Sequence, residues 1–252
     1  MASNYTVTVD MSNTTATTLM EEGSQLVAFA ATQGTDNQAL PLVWSVAASF
    51  GTTYTLSWTA SYGAFASSTA VAAGTLIVPG TSASINIGQI FSVAAGPVGS
   101  VVNGGVSGLI TIANTTSSPF SCGLSQTLNN ALVPFCAYPL YGNNTQELMP
   151  LSIVVMFFTT APLEVGEAYS PAMPMALTDK LAADATGPAV EINLTSQTTA
   201  TVSYDINNGW TVPQGQPAQT IQSSQILPTL IQPTPPPTLA RIRRAAIPKE
   251  KR

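Results

Sequence analysis

The stretch Thr-Tyr-Thr-Leu-Ser-Trp-Thr at residues 53–59 alternates hydroxyl side chains with larger apolar or aromatic ones. A period of two places the larger side chains on one face of a β-strand and the small polar ones on the other. The same alternation occurs at residues 5–9 and 202–206. All three segments are therefore predicted to be strands with one buried and one solvated face.

Further short runs rich in Val, Ile, Thr and aromatic residues extend this pattern along the chain, separated by Gly, Pro, Asn and Ser. They predict strands at residues 26–31, 42–46, 75–78, 84–88, 108–114, 151–159 and 190–194. About ten strands with frequent turns favour an all-β fold, an antiparallel β-sandwich of jelly-roll or immunoglobulin-like type. One short helix is expected from the N-cap Thr178 to Gly187.

The C-terminal part of the chain differs in composition from the rest. Residues 211–240 contain seven prolines, three of them consecutive at 235–237. Proline cannot donate to a sheet ladder, so this part is expected to be an extended arm, partly polyproline II. The predicted organisation is a sandwich domain over 1–210, a Pro-rich arm over 211–240 and a basic tail over 241–252.

Charge is strongly segregated along the chain. The sequence has 12 acidic and 7 basic residues and no histidine, yet no Asp, Glu, Lys or Arg occurs between Asn37 and Gln146. Lys180 is the only basic residue before position 241. The remaining six form the tail: Arg241, Arg243, Arg244, Lys249, Lys251 and Arg252. Such a tail can meet a polyanion, an anionic lipid surface or the acidic body of a neighbouring copy, or it can be a solvated terminus.

This composition argues against most enzymes. Without histidine the usual hydrolase triad cannot form, and Lys180 is predicted to lie on a solvated helix face. Glu164 and Glu167 flank Val-Gly and are expected to form an acidic turn rather than a catalytic pair. No loop has the ligand spacing of a calcium site or the glycines and lysine of a phosphate loop. We expect no catalytic residue, no metal and no cofactor.

Cys122 and Cys136 are the two thiols of the chain. A hairpin centred on residue 129 would place them directly opposite each other, close enough for a disulfide. The alternative, two buried reduced thiols, is slightly favoured because the N-terminal residues lack the pattern of a signal peptide. No apolar run approaches the ~20 residues of a membrane helix. Cytoplasmic synthesis is therefore expected, with the final location open.

Neutral aromatic and amide side chains in loops are the candidate ligand-binding residues, because such groups suit uncharged ligands. The alternative is that most of the aromatic ones fill the core. Exposure is expected in the segments 141–144 and 207–210, which have the composition of loops. The candidates are Trp58, Tyr62, Tyr141, Asn143, Asn144, Asn208 and Trp210.

Two functions fit these observations. The first is a non-enzymatic, self-associating structural protein that uses neutral faces and the C-terminal arm; its composition is similar to that of some coat and shell proteins. The second is a lectin-like or cytolysin-like module for uncharged glycans or membranes, since residues 4–9 resemble strands of small microbial β-sandwich lectins and pore formers. Specific nucleic-acid recognition by the acidic body is not expected.

Overall fold

The structure is a computed structural model that describes residues 3–36, 38–94, 98–173 and 187–233. Residues 178–186 of the expected helix and the whole basic tail lie outside these ranges. The two helices of the described residues are α1, Asn13–Glu21, and α2, Ser223–Leu230. The strands are β1 Asn4–Met11, β2 Gln25–Gly34, β3 Leu40–Pro41, β4 Ser45–Ala47, β5 Thr53–Ser67, β6 Thr81–Ile85, β7 Gln89–Ala94, β8 Val98–Asn103, β9 Ile110–Asn114, β10 Phe120–Leu128, β11 Ala131–Pro134, β12 Cys136–Leu140, β13 Thr145–Thr159, β14 Ala189–Asn193, β15 Thr199–Asp205, β16 Gly209–Thr211, β17 Ala218–Ile221 and β18 Ile231–Pro233.

These strands form two large sheets, which confirms the all-β prediction. The first sheet has the order β16-β15-β1-β5-β10-β12-β3, with β6 beside β5 and β11 beside β10. The second has the order β17-β14-β13-β9-β7-β8, with β2 beside β13 and with β4 and β18 beside β2. Most pairs are antiparallel, but β1–β15, β7–β9 and β2–β18 are parallel. The sheets are therefore mixed, because side-chain periodicity fixes which face is buried but not the direction of the neighbouring strand.

The main core lies between the two sheets. Val7 and Leu56 of the first sheet belong to the same buried cluster as Met156 of the second. The ring of Phe158 on β13 lies 4.5 Å from that of Tyr204 and 5.7 Å from that of Trp210, both in the first sheet. Two sheets that share one apolar layer make the fold sandwich-like.

A second buried cluster lies on the outer side of the second sheet. β2 and the second half of β13 bury both of their faces; Phe29 and Phe157 of this outer cluster stack at 5.5 Å. Leu163 and Tyr169 from the segment after β13, and Ile226 and Leu230 from α2, belong to the same cluster. The outer face of the second sheet is thus covered by the chain's own later segments.

Residues 211–233 differ from the predicted extended arm. β17 pairs antiparallel with β14, α2 follows, and β18 pairs parallel with β2. The apolar side chains Ile221, Ile226 and Leu230 explain this, because their burial in the outer cluster outweighs the presence of Pro228 inside α2. The sandwich therefore extends to residue 233, and residues 234–240 of the predicted arm lie outside the described ranges.

Two local expectations also change. Helix α1 was not predicted; its N-cap Ser12 accepts a hydrogen bond from the backbone N–H of Thr15. Residues 75–78 form no strand; Leu76 makes one isolated bridge to Glu167. Neither helix in the described part of the chain has the length and apolar character of a membrane span.

Candidate interaction surface

The outward face of the first sheet carries a regular array of small hydroxyl side chains on β15, β1 and β5. The register places Thr6 between Thr199 and Ser57, and Thr8 between Thr201 and Thr55. A third row is Ser203, Asp10 and Thr53. We call this array the hydroxyl grid: Thr6, Thr8, Asp10, Thr53, Thr55, Ser57, Thr199, Thr201 and Ser203.

Alternation along each strand explains why the grid faces outward. The residues between its members, such as Val7, Leu56 and Val202, are buried in the main core. Every member of the grid is exposed or half-exposed. Neighbouring strands in a sheet are about 4.8 Å apart, and residues i and i+2 of one strand are about 6.6 Å apart, so the side chains form closely spaced rows.

Hydrogen bonds tie β1 to β5 across this face. The hydroxyl oxygens of Thr6 and Ser57 lie 3.2 Å apart, and the Thr53 hydroxyl donates to Asp10 at 3.0 Å. At the end of the face the Thr59 hydroxyl donates to the Asn4 side-chain oxygen at 3.1 Å. These contacts hold the side chains in fixed cross-strand pairs and satisfy part of their hydrogen-bonding capacity within the protein.

A polar notch of about 380 Å³ adjoins one end of the hydroxyl grid. Tyr5 and Trp58 also border it, but their rings stack at 5.5 Å on the inner side of the sheet, where the Ser152 hydroxyl donates to that of Tyr5 at 3.3 Å. Asn129 and Asn130 form the two-residue turn between β10 and β11, with φ of 50° and 65°. Asparagine tolerates such left-handed angles better than most residues, so the turn places two amides at the notch. Hydroxyl and amide groups complete the lining: Asn4, Thr6, Ser57, Thr59, Thr127, Asn129 and Asn130.

The electrostatic character of the described residues is wholly acidic. They include nine carboxylates and no Lys, Arg or His. No group of three or more His, Cys, Asp or Glu within the described ranges could hold a metal ion. The grid contains one carboxylate, Asp10, which lies in its last row. The surface can thus donate and accept hydrogen bonds, but it presents little charge.

The predicted ligand-binding tryptophans lie in the core. Trp210 is fully buried between Phe158 and Tyr204, and its indole N–H donates to the Pro188 carbonyl at 3.2 Å. The exposure expected for Trp210 is therefore wrong: β16 pairs with β15, and this pairing turns the indole inward. Trp58 is only 5% exposed, and its ring packs in the core against those of Tyr5 and Trp44. Tyr62 is half-buried against the main core, where burial raises its pKa.

The loop candidates are exposed, but none of them belongs to the grid. Tyr141 is 52% exposed, and its hydroxyl donates to the Gln38 side chain at 3.2 Å. Asn143 and Asn144 follow it on the same exposed loop, which packs against residues 114–118. Asn208 is exposed at the β15–β16 turn, where its side chain donates to Asp205. The described structure gathers these loops into no common site.

The two cysteines are free and buried. The predicted direct pairing of Cys122 with Cys136 is wrong: Cys122 lies opposite Tyr138. The turn is centred between residues 129 and 130, and one extra residue near Phe135 shifts the register again. Burial raises the pKa of the Cys136 thiol to about 12, although the Leu124 N–H donates to its sulfur. A thiol protonated at neutral pH is a poor nucleophile.

Sequence reasoning missed the hydroxyl grid and the notch as sites. It identified the alternation at residues 5–9, 53–59 and 202–206, but not that these strands are neighbours. Their adjacency depends on the parallel pairing of β1 with β15, which no local pattern predicts. Comparison of the chain with family models, curated proteins and solved structures gives no match in any of the three.

Proposed function

We propose that this protein is a non-enzymatic, self-associating structural subunit, of the shell, coat or fibre kind, and that copies meet through the hydroxyl grid. The observation that carries the proposal is the grid itself: three adjacent strands present eight Thr or Ser side chains and one Asp in register on an open face. In the jelly-roll or immunoglobulin-like class expected from the sequence, such a face is free to meet another sheet.

The physical argument concerns desolvation. Removing a charged side chain from water costs far more than removing a hydroxyl that gains a new hydrogen bond. Hydroxyl rows on two copies can exchange hydrogen bonds with each other, since each hydroxyl is both donor and acceptor. The described residues carry nine carboxylates that repel those of another copy, and the grid contains only one of them, Asp10, so the electrostatic cost of contact there is small.

Light scattering coupled to size-exclusion chromatography tests this proposal on the full chain. We expect a mass above the 26.0 kDa of one copy at micromolar concentration. Thr8→Arg and Thr55→Arg place charge in the middle of the grid and should reduce the mass to that of a monomer. Ser100→Arg changes an exposed hydroxyl on β8 of the other sheet and serves as the matched control. A monomeric parent protein, or equal effects of all three substitutions, contradicts the proposal.

A second candidate function is binding of a neutral glycan, favoured by the polar notch. Hydroxyl and amide groups form a suitable lining for a sugar, and the notch has the volume of a small-ligand site. A glycan array would identify a ligand, and Asn130→Gly should weaken its binding while preserving the left-handed turn. Blank arrays and blank liposome pelleting would leave neither a lectin-like nor a cytolysin-like role.

In this proposal the tail residues from Arg241 to Arg252 contact a polyanion or the acidic body of another copy. The charge segregation in the sequence supports it. The location of the protein in the cell and the absence of catalysis stay predictions from composition.

A further inference from the structure

A small apolar cleft lies where the described part of the chain ends. It is formed between the end of β2 and the segment from α2 to β18, and has a volume of about 260 Å³. Leu227, Pro228 and Ile231 form one side, and Ala39 and Asp36 belong to the other. Pro233, the last described residue, also lines it. We call this the C-terminal cleft.

Two carboxylates lie near α2. Asp36 lines the cleft directly, where it accepts hydrogen bonds from the Gln38 backbone N–H at 2.8 Å and the Gln146 side chain at 3.4 Å. Glu191 accepts a hydrogen bond from the Thr229 hydroxyl of the same helix at 3.4 Å. No basic side chain occurs among the described residues to neutralise either carboxylate. The cleft therefore combines an apolar floor with one carboxylate, that of Asp36, in its lining, while Glu191 lies outside it.

The sequence beyond Pro233 has the complementary chemistry. Residues 239–244 read Leu-Ala-Arg-Ile-Arg-Arg, so aliphatic side chains alternate with guanidinium groups. Leucine or isoleucine suits the apolar floor, and arginine can form paired hydrogen bonds to a carboxylate such as that of Asp36. The cleft is smaller than the roughly 300–1,000 Å³ of typical small-molecule sites, which favours a side chain over a free ligand.

The segment that fits the cleft is that of another copy. Within one copy, Leu239 lies only six residues beyond Pro233, which itself lines the cleft, so the chain would have to reverse direction at once. The intervening residues include Pro235, Pro236 and Pro237, and consecutive prolines favour extended backbone over a tight reversal. The same six residues, extended, reach about 20 Å outward, enough to approach a neighbour.

We infer that the C-terminal cleft binds residues 239–244 of a second copy, with an aliphatic side chain on its apolar floor and an arginine at Asp36. This inference rests on the proposed self-association and names one segment that would mediate it. Each copy supplies one arm and one cleft, so exchange between two copies is reciprocal, whereas exchange along a series gives a ring or a filament. A link through a tethered segment also raises the effective concentration of weak contacts such as those of the hydroxyl grid.

Photo-crosslinking on the full chain tests the inference. Thr35, an exposed residue that lines the cleft, is replaced by p-benzoylphenylalanine in a mixture of ¹⁴N-labelled and ¹⁵N-labelled protein. Peptides are made with a protease other than trypsin, which would fragment the basic tail. We expect crosslinks from position 35 to residues 239–244 in pairs that combine one light and one heavy chain. Pro228, also exposed on the cleft, is the second labelling position if the first variant does not fold.

The inference is overturned if every crosslink joins two positions with the same isotope label. It is also overturned if position 35 crosslinks to parts of the chain other than residues 239–244. As a second readout, Asp36→Arg should weaken self-association several-fold and abolish its dependence on salt at this contact. Glu164→Arg is the matched control, since Glu164 is an exposed carboxylate outside the cleft. Equal effects of both substitutions count against the cleft. A parent protein that is monomeric at all concentrations refutes the proposed function, whereas an oligomer whose arms crosslink elsewhere refutes only this inference.

Discussion

The outer faces of the two sheets differ because their central strands are patterned differently. In β1 and β5 every second residue is Thr, Ser or Asp over the length of the hydroxyl grid, so the outer face stays in contact with solvent. In β2 and the second half of β13, both faces are apolar, and the chain covers the outer one with α2 and the segment after β13. Among the described residues, one outer face is covered by later segments of the chain, and the other is exposed over the hydroxyl grid.

The largest effect on stability should come from a substitution in the outer cluster of the second sheet. Phe29 is fully buried, stacks on Phe157 at 5.5 Å and meets Tyr169 edge-on at 5.6 Å. Phe29→Ala should lower the free energy of unfolding by about 3–5 kcal/mol, since it removes apolar contacts and leaves a cavity. Urea denaturation followed by tryptophan fluorescence measures the change. A loss below about 1 kcal/mol would mean that the outer cluster contributes little to stability.

Alkaline pH should destabilise the interior of the protein. Burial raises the pKa of Cys136 from about 9 to about 12 and that of Tyr204 from about 10 to about 12. Both groups are neutral when protonated, so above pH 9 the unfolded chain loses protons that the folded protein keeps. Stability is therefore complete below about pH 9 and should fall as pH rises to 12, by up to ~1.4 kcal/mol per pH unit for each group.

Denaturation midpoints between pH 8 and 12 check this expectation. Tyr204→Phe should reduce the slope above pH 10, whereas Thr8→Val, which removes a hydroxyl that does not titrate in this range, should leave it unchanged. Threonine and serine hydroxyls do not titrate in this range, so the hydroxyl grid contributes nothing to the effect. Identical slopes for both variants would show that Tyr204 in the interior does not cause the loss of stability at alkaline pH.

The smallest effect on stability should come from the open face. Thr8→Val keeps the shape of a half-exposed side chain and removes its hydroxyl. The free energy of unfolding should change by less than about 0.5 kcal/mol, as at most surface positions. If the proposed function holds, self-association should nevertheless weaken, which light scattering measures. A clear loss of stability without any change in association would make the grid a structural feature only.

Local patterning predicted those parts of the fold that depend on one strand at a time. The alternation at residues 5–9 gave β1, and the continuous apolar run at 153–158 lies within β13. Residues 211–233 were harder, because Ile226 and Leu230 show helical spacing only across Pro228. In residues 211–233 the burial of a few isolated aliphatic side chains determines the fold, and that burial depends on strands far away in the sequence.

The candidate site was less predictable than the fold. Composition directed attention to neutral polar and aromatic side chains in loops, but of the seven candidates chosen Trp210 lies in the core. Its position after an Asn-Asn-Gly turn suggested exposure, whereas the register of β15 and β16 places it beside Tyr204. Predicting the hydroxyl grid requires the order of three strands in the sheet. One of its two pairings, that of β1 with β15, is parallel and joins segments from opposite ends of the chain.

The parallel pairing of β18 with β2 has a mechanical consequence. If the inferred exchange of arms holds, tension from a neighbouring copy enters the described chain at Pro233, the end of β18. A pull along the strand axis loads the backbone hydrogen bonds of β18 together, in shear, and the bond from the Gln33 side chain to the Pro233 carbonyl at 3.0 Å shares that load. A pull perpendicular to the sheet would instead open these bonds one after another. The direction in which a neighbour lies thus determines the force that this attachment withstands.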